Sequence, residues 1–213
     1  MTSLRLVLAS ASPARLATLR SAGLHPEVIV SGVEETAVAG ESPAQLAGRL
    51  AGLKANAVAA GLTGPPGPTV VVGCDSVLEL AGEAYGKPES PGVAVERWRR
   101  MRGRSGVLHT GHRVILLDGG SAAVRDATAS TTVWFADLSD AEIEAYVATG
   151  EPLQVAGAFT VDGLGGPFVT RIGGDHHNVV GISLPLLRAM LGELGVAWPR
   201  LWLPPATGHR ELG

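Results

Sequence analysis

Residues 69–72, Thr-Val-Val-Val, form an unbroken apolar, β-branched run, and that run limits the possible folds of this 213-residue chain more than any other stretch. A strand with one wet face alternates apolar and polar side chains, whereas one without alternation is covered on both faces and lies centrally in its sheet. The covering layers announce themselves as helix starts. Ser12-Pro13, Ser42-Pro43 and Ser90-Pro91 each put a hydroxyl at an N-cap and a proline at the first helical position, with Gln45 completing a capping box and Gly23 closing the first helix. Residues 4–8 and 26–30 read as further strands. The β-branched runs 107–117 and 123–135 flank Asp118-Gly119-Gly120 and predict a hairpin, so part of the sheet is antiparallel. Ser139 with Glu142 opens a helix that ends at Gly150, and a last helix runs from about residue 183 to residue 195. Residues 157–174 between them are glycine-rich with one β-like run over 168–172. The expected fold class is α/β, a mixed twisted sheet with flanking helices, as a single domain over residues 1–213 with an irregular tail from about residue 199.

Composition narrows the function classes. A net charge of −3 and a pI near 6.1 exert no global pull toward nucleic acid, and no series of aromatic stacking platforms interleaves the basic residues. The apolar stretch near the N-terminus is short, broken by Arg5 and followed by Pro13, which makes a poor signal peptide and no membrane span. With one cysteine, Cys74, there is no internal disulfide framework, and the expected compartment is a reducing cytoplasm. A small-molecule partner is expected.

The chemistry-bearing residues fall at the ends of strands and the starts of helices. Ser10-Ala11-Ser12-Pro13-Ala14-Arg15 is a strand-to-helix turn where free N–H groups, the hydroxyls of Ser10 and Ser12, and Arg15 can converge on an anion. The run at 69–72 leads into Gly73-Cys74-Asp75, so Asp75 is expected at the carboxyl end of a strand, where ligands gather in sheets with parallel strands. There it can serve as general base or metal ligand. Of seventeen basic residues only Lys54 and Lys87 are lysines, compact charges on flexible stems that suit phosphate oxygens. Lys87 follows Gly86 and precedes Pro88, an extended, closely approachable segment; Ala81 and Pro88 exclude a Walker A loop. Lys54 lies on an alanine-rich helix. His109 and His112 point to opposite faces of their strand and make a poor metal pair, and His176-His177 reads as a surface loop. The arginines at 97, 99, 100, 102 and 104 surround a helix end, where they favour the dipole.

Taken in order, these segments resemble the Maf family of nucleoside triphosphate pyrophosphatases over nearly the whole chain. The resemblance runs through Ser10 to Arg15, Glu35 in Ser31-Gly32-Val33-Glu34-Glu35, Leu53-Lys54-Ala55, Gly73-Cys74-Asp75-Ser76 and Gly86-Lys87-Pro88. It continues through Thr149-Gly150-Glu151-Pro152, Ala156-Gly157-Ala158-Phe159 and Asn178-Val179-Val180-Gly181. It implies two lobes flanking a cleft in an inosine-triphosphatase-like architecture, and a homodimer. It also implies hydrolysis of a nucleoside triphosphate at the α-phosphorus with a divalent cation, magnesium or manganese. Arg15, Lys54 and Lys87 would neutralise the polyphosphate, Asp75 would accept a proton or hold the metal, and Glu35 is a second metal candidate. Asp162 stands where pyrimidine-preferring relatives carry Gln, and a carboxylate there matches the N1–H and N2–H₂ edge of guanine, a lean toward 7-methyl-GTP or a similar base. Ala14 and Gln154-Val155 depart from the family pattern. The rival reading is a nucleotide-sensing regulator of septum formation that does not turn its ligand over.

Overall fold

The computed structural model describes residues 4–62 and 67–202. Its elements are β1 (Arg5–Ala9), α1 (Pro13–Ser21), β2 (Glu27–Val28), α2 (Pro43–Gly61), β3 (Thr69–Leu80), β4 (Glu83–Tyr85) and α3 (Pro91–Met101). They continue with β5 (Ser105–Asp118), β6 (Ser121–Phe135), α4 (Asp140–Ala148), β7 (Val169–Gly173), α5 (His176–Val180) and α6 (Leu184–Glu193). One seven-stranded sheet runs β2-β1-β3-β5-β6-β7, with β4 also paired to β3. β1 is parallel to β2 and β3; every other pairing is antiparallel, so the sheet is mixed as expected.

The apolar run does lie centrally and is covered on both faces. Val70, Val72 and Cys74 pack with Leu8, Leu19, Ile182 and Leu187, while Val71 packs on the other side with Val7, Ala55 and Val58. The far half of β3, Leu78 and Leu80, joins a separate core around Trp98. That indole is fully buried, donates Nε1–H to the Ala158 carbonyl at 2.7 Å, and meets Phe135, Tyr146 and Phe168 edge to face. One strand therefore threads two apolar regions.

Two glycines bring α2 down onto the sheet. A Cβ at Gly73 would collide with the Ala51 carbonyl and with Ala55, and one at Gly111 would collide with the backbone of Ala47. Because both positions are bare, the helix backbone rests directly on β3 and β5. At the other end of the sheet Gly119 and Gly120 supply the two positive φ angles, 54° and 83°, of the predicted hairpin turn.

The predicted serine caps at Ser12, Ser42, Ser90 and Ser139 form, each accepting a backbone N–H from the first helical turn, and Ser183 caps the last helix in the same way. Several details differ from the sequence reading: the strand expected over 26–30 is limited to Glu27–Val28, and β4 was not expected. β3 continues to Leu80, because pairing with β5 out to Glu79 and Val107 carries it through a polar stretch. α5 forms where a loop was expected, capped by Asp175, whose Oδ1 accepts from the His177 N–H at 3.0 Å. Residues 198–201 form a 3-10 turn and Trp202 bridges to Leu24, while the remainder of the expected irregular tail, from residue 203, lies outside the described residues. Among the described residues no helix is long and apolar enough to cross a membrane.

Candidate active site

β1 ends its pairing with β3 at Gly73, and β4 begins its own at Leu78 on Tyr85. Along that edge residues 74–77 have no neighbouring strand among the described residues. Asp75 and Ser76 sit in this gap, between the two apolar regions that β3 threads. This corrects the expectation that Asp75 terminates a strand: it lies inside β3, and what ends beside it is β1. The carboxyl end that lies beside Asp75 is that of the parallel partner β1.

Strand alternation sends the two side chains to opposite faces. Asp75 faces α2, where Lys54 Nζ donates to its Oδ1 at 2.5 Å and lies 2.6 Å from Glu35 Oε1. Lys54 and Asp75 are each about 10 % exposed at the side chain, whereas Glu35, on the loop before α2, is 46 % exposed. Ser76 faces the other layer, accepts from Arg15 Nη2 at 2.9 Å and shares a 2.9 Å hydrogen bond with Thr110. Arg15 is buried; its Nε donates to the Gly181 carbonyl at 2.7 Å and its Nη1 to Ser10 Oγ at 3.0 Å. Three of the five guanidinium donors are thereby engaged with protein, leaving one on each terminal nitrogen. Ser12 Oγ accepts from the Arg15 N–H at 3.3 Å, and Ser10 Oγ from the Ser12 N–H at 3.2 Å. Ser10, Ser12 and Arg15 are thus joined by hydrogen bonds to one another.

The electrostatics separate the two carboxylates. Burial raises the Asp75 pKa above its ordinary value, even though the charges of Lys54 and Arg15 pull the other way. Burial also works to raise Glu35, but the Lys54 hydrogen bond and the charges of Lys54, Lys87 and Arg15 outweigh it, and its pKa lies below the usual range. A pair of acids pushed apart in this manner is how one site assigns a base and a permanent anion. The effect on Glu35 also places Lys87, an exposed residue, within electrostatic reach of the cluster. The backbone beside Lys87 is tied down: the Gly86 carbonyl accepts from Arg97 Nη1 at 2.6 Å and from the Gly157 N–H at 3.1 Å.

Asp162 stands apart. It is exposed in a bend, and no hydrogen bond or ion pair joins it to the cluster among the described residues. Its loop is organised from beneath by Glu151, which accepts from Thr160 Oγ1 at 2.6 Å, Tyr146 Oη at 3.0 Å, and the N–H groups of Leu164 and Gly165.

The histidines of β5 are structural. His109 bonds Ser130 and Glu79, whereas His112 donates Nδ1–H to the Thr110 carbonyl and accepts the Ser183 N–H at Nε2, each at 2.9 Å. Burial pushes the His112 pKa down to about 4. Among the described residues no three His, Cys, Asp or Glu side chains cluster as a metal cage. Sequence reasoning assigned no role to Thr110 and Asn178, which brace the Arg15 side. Thr110 Oγ1 donates to the Asn178 carbonyl at 3.2 Å, and Asn178 Nδ2 donates to the Leu108 carbonyl and to Thr131 Oγ1. The available signal for Asn178 was its place in the Asn178-Val179-Val180-Gly181 segment; Thr110, between His109 and Gly111, carried none.

The chain as a whole is similar to known proteins. The profile of the family described as Maf-like protein matches residues 5–194. A protein of Salinispora tropica named nucleoside triphosphate pyrophosphatase is 56 % identical over 211 residues, covering 99 % of this chain and 92 % of its own. Proteins of the same name from Cutibacterium acnes and Streptomyces coelicolor are 53 % and 56 % identical, covering 95 % and 94 % of this chain and 97 % and 95 % of theirs.

Proposed function

This chain belongs to the family of Maf-like proteins, and from that premise we propose that it is a nucleoside triphosphate pyrophosphatase, releasing the monophosphate and pyrophosphate. The observation that carries the reading is the Lys54 ammonium lodged between Asp75 and Glu35, whose carboxyl pKa values move in opposite directions. Asp75, the more basic carboxylate, takes the proton from the attacking water. The water oxygen bonds to the α-phosphorus, and the bond from that phosphorus to the α–β bridging oxygen breaks. Lys54, Lys87 and the two remaining Arg15 donors neutralise the charge that builds on departing pyrophosphate.

A divalent cation fits the donor set. Asp75 and Glu35 offer hard carboxylate oxygens, and magnesium or manganese needs only one or two of these when water and phosphate supply the rest. Such a cation would neutralise phosphate charge beside the same two residues. Base recognition belongs in this reading to Asp162, with the lean toward a guanine-like base. The assembly proposed is a homodimer. The proposed setting is the reducing cytoplasm, which suits the buried Cys74 thiol, pushed up to about 12 by burial and so inert.

The test is pyrophosphate release from UTP, dTTP, CTP, GTP and 7-methyl-GTP with magnesium or manganese. Asp75→Asn is expected to lower kcat by about a hundredfold or more. Asp162→Gln is expected to change the substrate ranking rather than the overall rate, and an unchanged ranking removes the guanine argument. If the wild type turns over no triphosphate, the enzymatic reading fails.

A further inference from the structure

Glu35 reaches Lys54 from a loop, residues 31–41, that has no helix or strand of its own, and Glu35 is too exposed for burial to fix it there. The loop is fastened from α2. Arg49, on the same helix as Lys54, donates Nε to Glu41 Oε1 at 2.5 Å and Nη2 to Glu41 Oε2 at 2.9 Å. The same Nη2 donates to the carbonyl of Thr36, the residue after Glu35, at 2.9 Å. Glu41 Oε2 accepts in turn from the Val38 N–H at 3.3 Å. Glu41 immediately precedes the Ser42 cap, so the loop is pinned at the start of the helix and again beside Glu35. The two-pronged pair is partly sheltered, with Glu41 14 % and Arg49 31 % exposed.

We infer that Arg49, working through Glu41 and the Thr36 carbonyl, is a positioning residue that presents Glu35 to the Lys54–Asp75 pair. A planar guanidinium can hold a carboxylate with two parallel bonds and a carbonyl with a shared third, which an ammonium cannot do with the same geometry. Fixing the backbone at Thr36 removes conformations the loop would otherwise sample, so Glu35 arrives preorganised rather than being ordered by each ligand. The inference rests on the proposed reading of Glu35 as a cation-binding carboxylate.

The experiment titrates Mn²⁺ into the free full-length protein, followed by electron paramagnetic resonance, alongside pyrophosphate release. Arg49→Ala and Glu41→Gln are made in the wild type and in the Glu35→Gln background, with thermal melts to check folding. Glu41→Gln keeps the arginine and the side-chain shape, so it reads out the clamp even if Arg49→Ala folds poorly. Either change is expected to weaken Mn²⁺ binding and to lower kcat by about tenfold, as loss of an outer partner of a metal ligand does. Neither should cause further loss once Glu35 is already Gln. If neither variant weakens Mn²⁺ binding, or if the losses are undiminished in the Glu35→Gln background, the positioning inference is overturned and Glu35 keeps its role. If Glu35→Gln itself binds Mn²⁺ as the wild type does, the reading of Glu35 falls and the inference falls with it.

Discussion

Lys54→Met keeps the unbranched stem and deletes only the charge. Asp75, with its side chain 10 % exposed, then retains Arg15 as a nearby cation but loses its hydrogen-bonded partner. Removing one member of a buried pair costs about 3–5 kcal/mol. The lower end, about 3 kcal/mol, applies because Arg15 remains and the carboxyl can accept a proton. For a chain of this length that corresponds to a melting temperature lower by roughly 6–12 °C near neutral pH. The loss depends on pH with a definite sign. The folded-state pKa of Asp75 is already above its unfolded value, because burial outweighs Lys54 and Arg15. A carboxyl raised on folding contributes stability that is complete below the unfolded pKa and disappears as pH climbs through the folded pKa. Removing Lys54 raises the folded pKa further, so the deficit against wild type is greatest at neutral pH and contracts in acid. Thermal melts of both proteins by circular dichroism at about pH 5 and about pH 7.5 measure it. Equal deficits at the two pH values, or none at neutral pH, would refute the claim that Lys54 compensates a buried Asp75 charge.

Two further predictions follow from the packing and the charges. Gly73→Ala drives a methyl group into the Ala51 carbonyl and Ala55, so α2 must lift from the sheet at a cost of about 1–3 kcal/mol. Because Lys54 rides on that helix, pyrophosphate release should fall in the fully folded variant as well; unchanged activity would show that the close approach of α2 does not set the Lys54–Asp75 contact. Lys54→Arg and Lys87→Arg keep the charge but exchange a point ammonium for a fixed fork, and kcat should drop in both, whereas full activity in both would mean that charge alone suffices.

Much of this architecture was legible because local chemistry and tertiary structure agree. The serine-proline starts, the Gly119-Gly120 turn and the unalternating 69–72 run each have a single good structural solution, and each forms. The reach of β3 to Leu80 was not legible, since Asp75, Ser76 and Glu79 break any apolar pattern and it is the pairing with β5, joined by β4 from Leu78, that holds them extended. The same limit applies at the site. Arg15, Lys54 and Asp75 could be chosen by residue type and order, but the partners that aim them could not. Gly181 acts through a carbonyl, Thr110 through a cross-strand hydroxyl, and Arg49 through a loop whose path no periodicity encodes.

The interval between β1 and β4 on the edge of β3 bears on how such a protein can diversify. Asp75 belongs to a strand whose register is locked on its other side to β5 from Thr69 to Glu79, and a slip of one residue would turn its carboxylate to the opposite face. The carboxylate proposed to take the proton is thus mounted on a strand whose register is fixed by long pairing. The loop over residues 31–41 forms no rung of that ladder, so its side chains other than those that fasten it can change without disturbing the strand that holds Asp75.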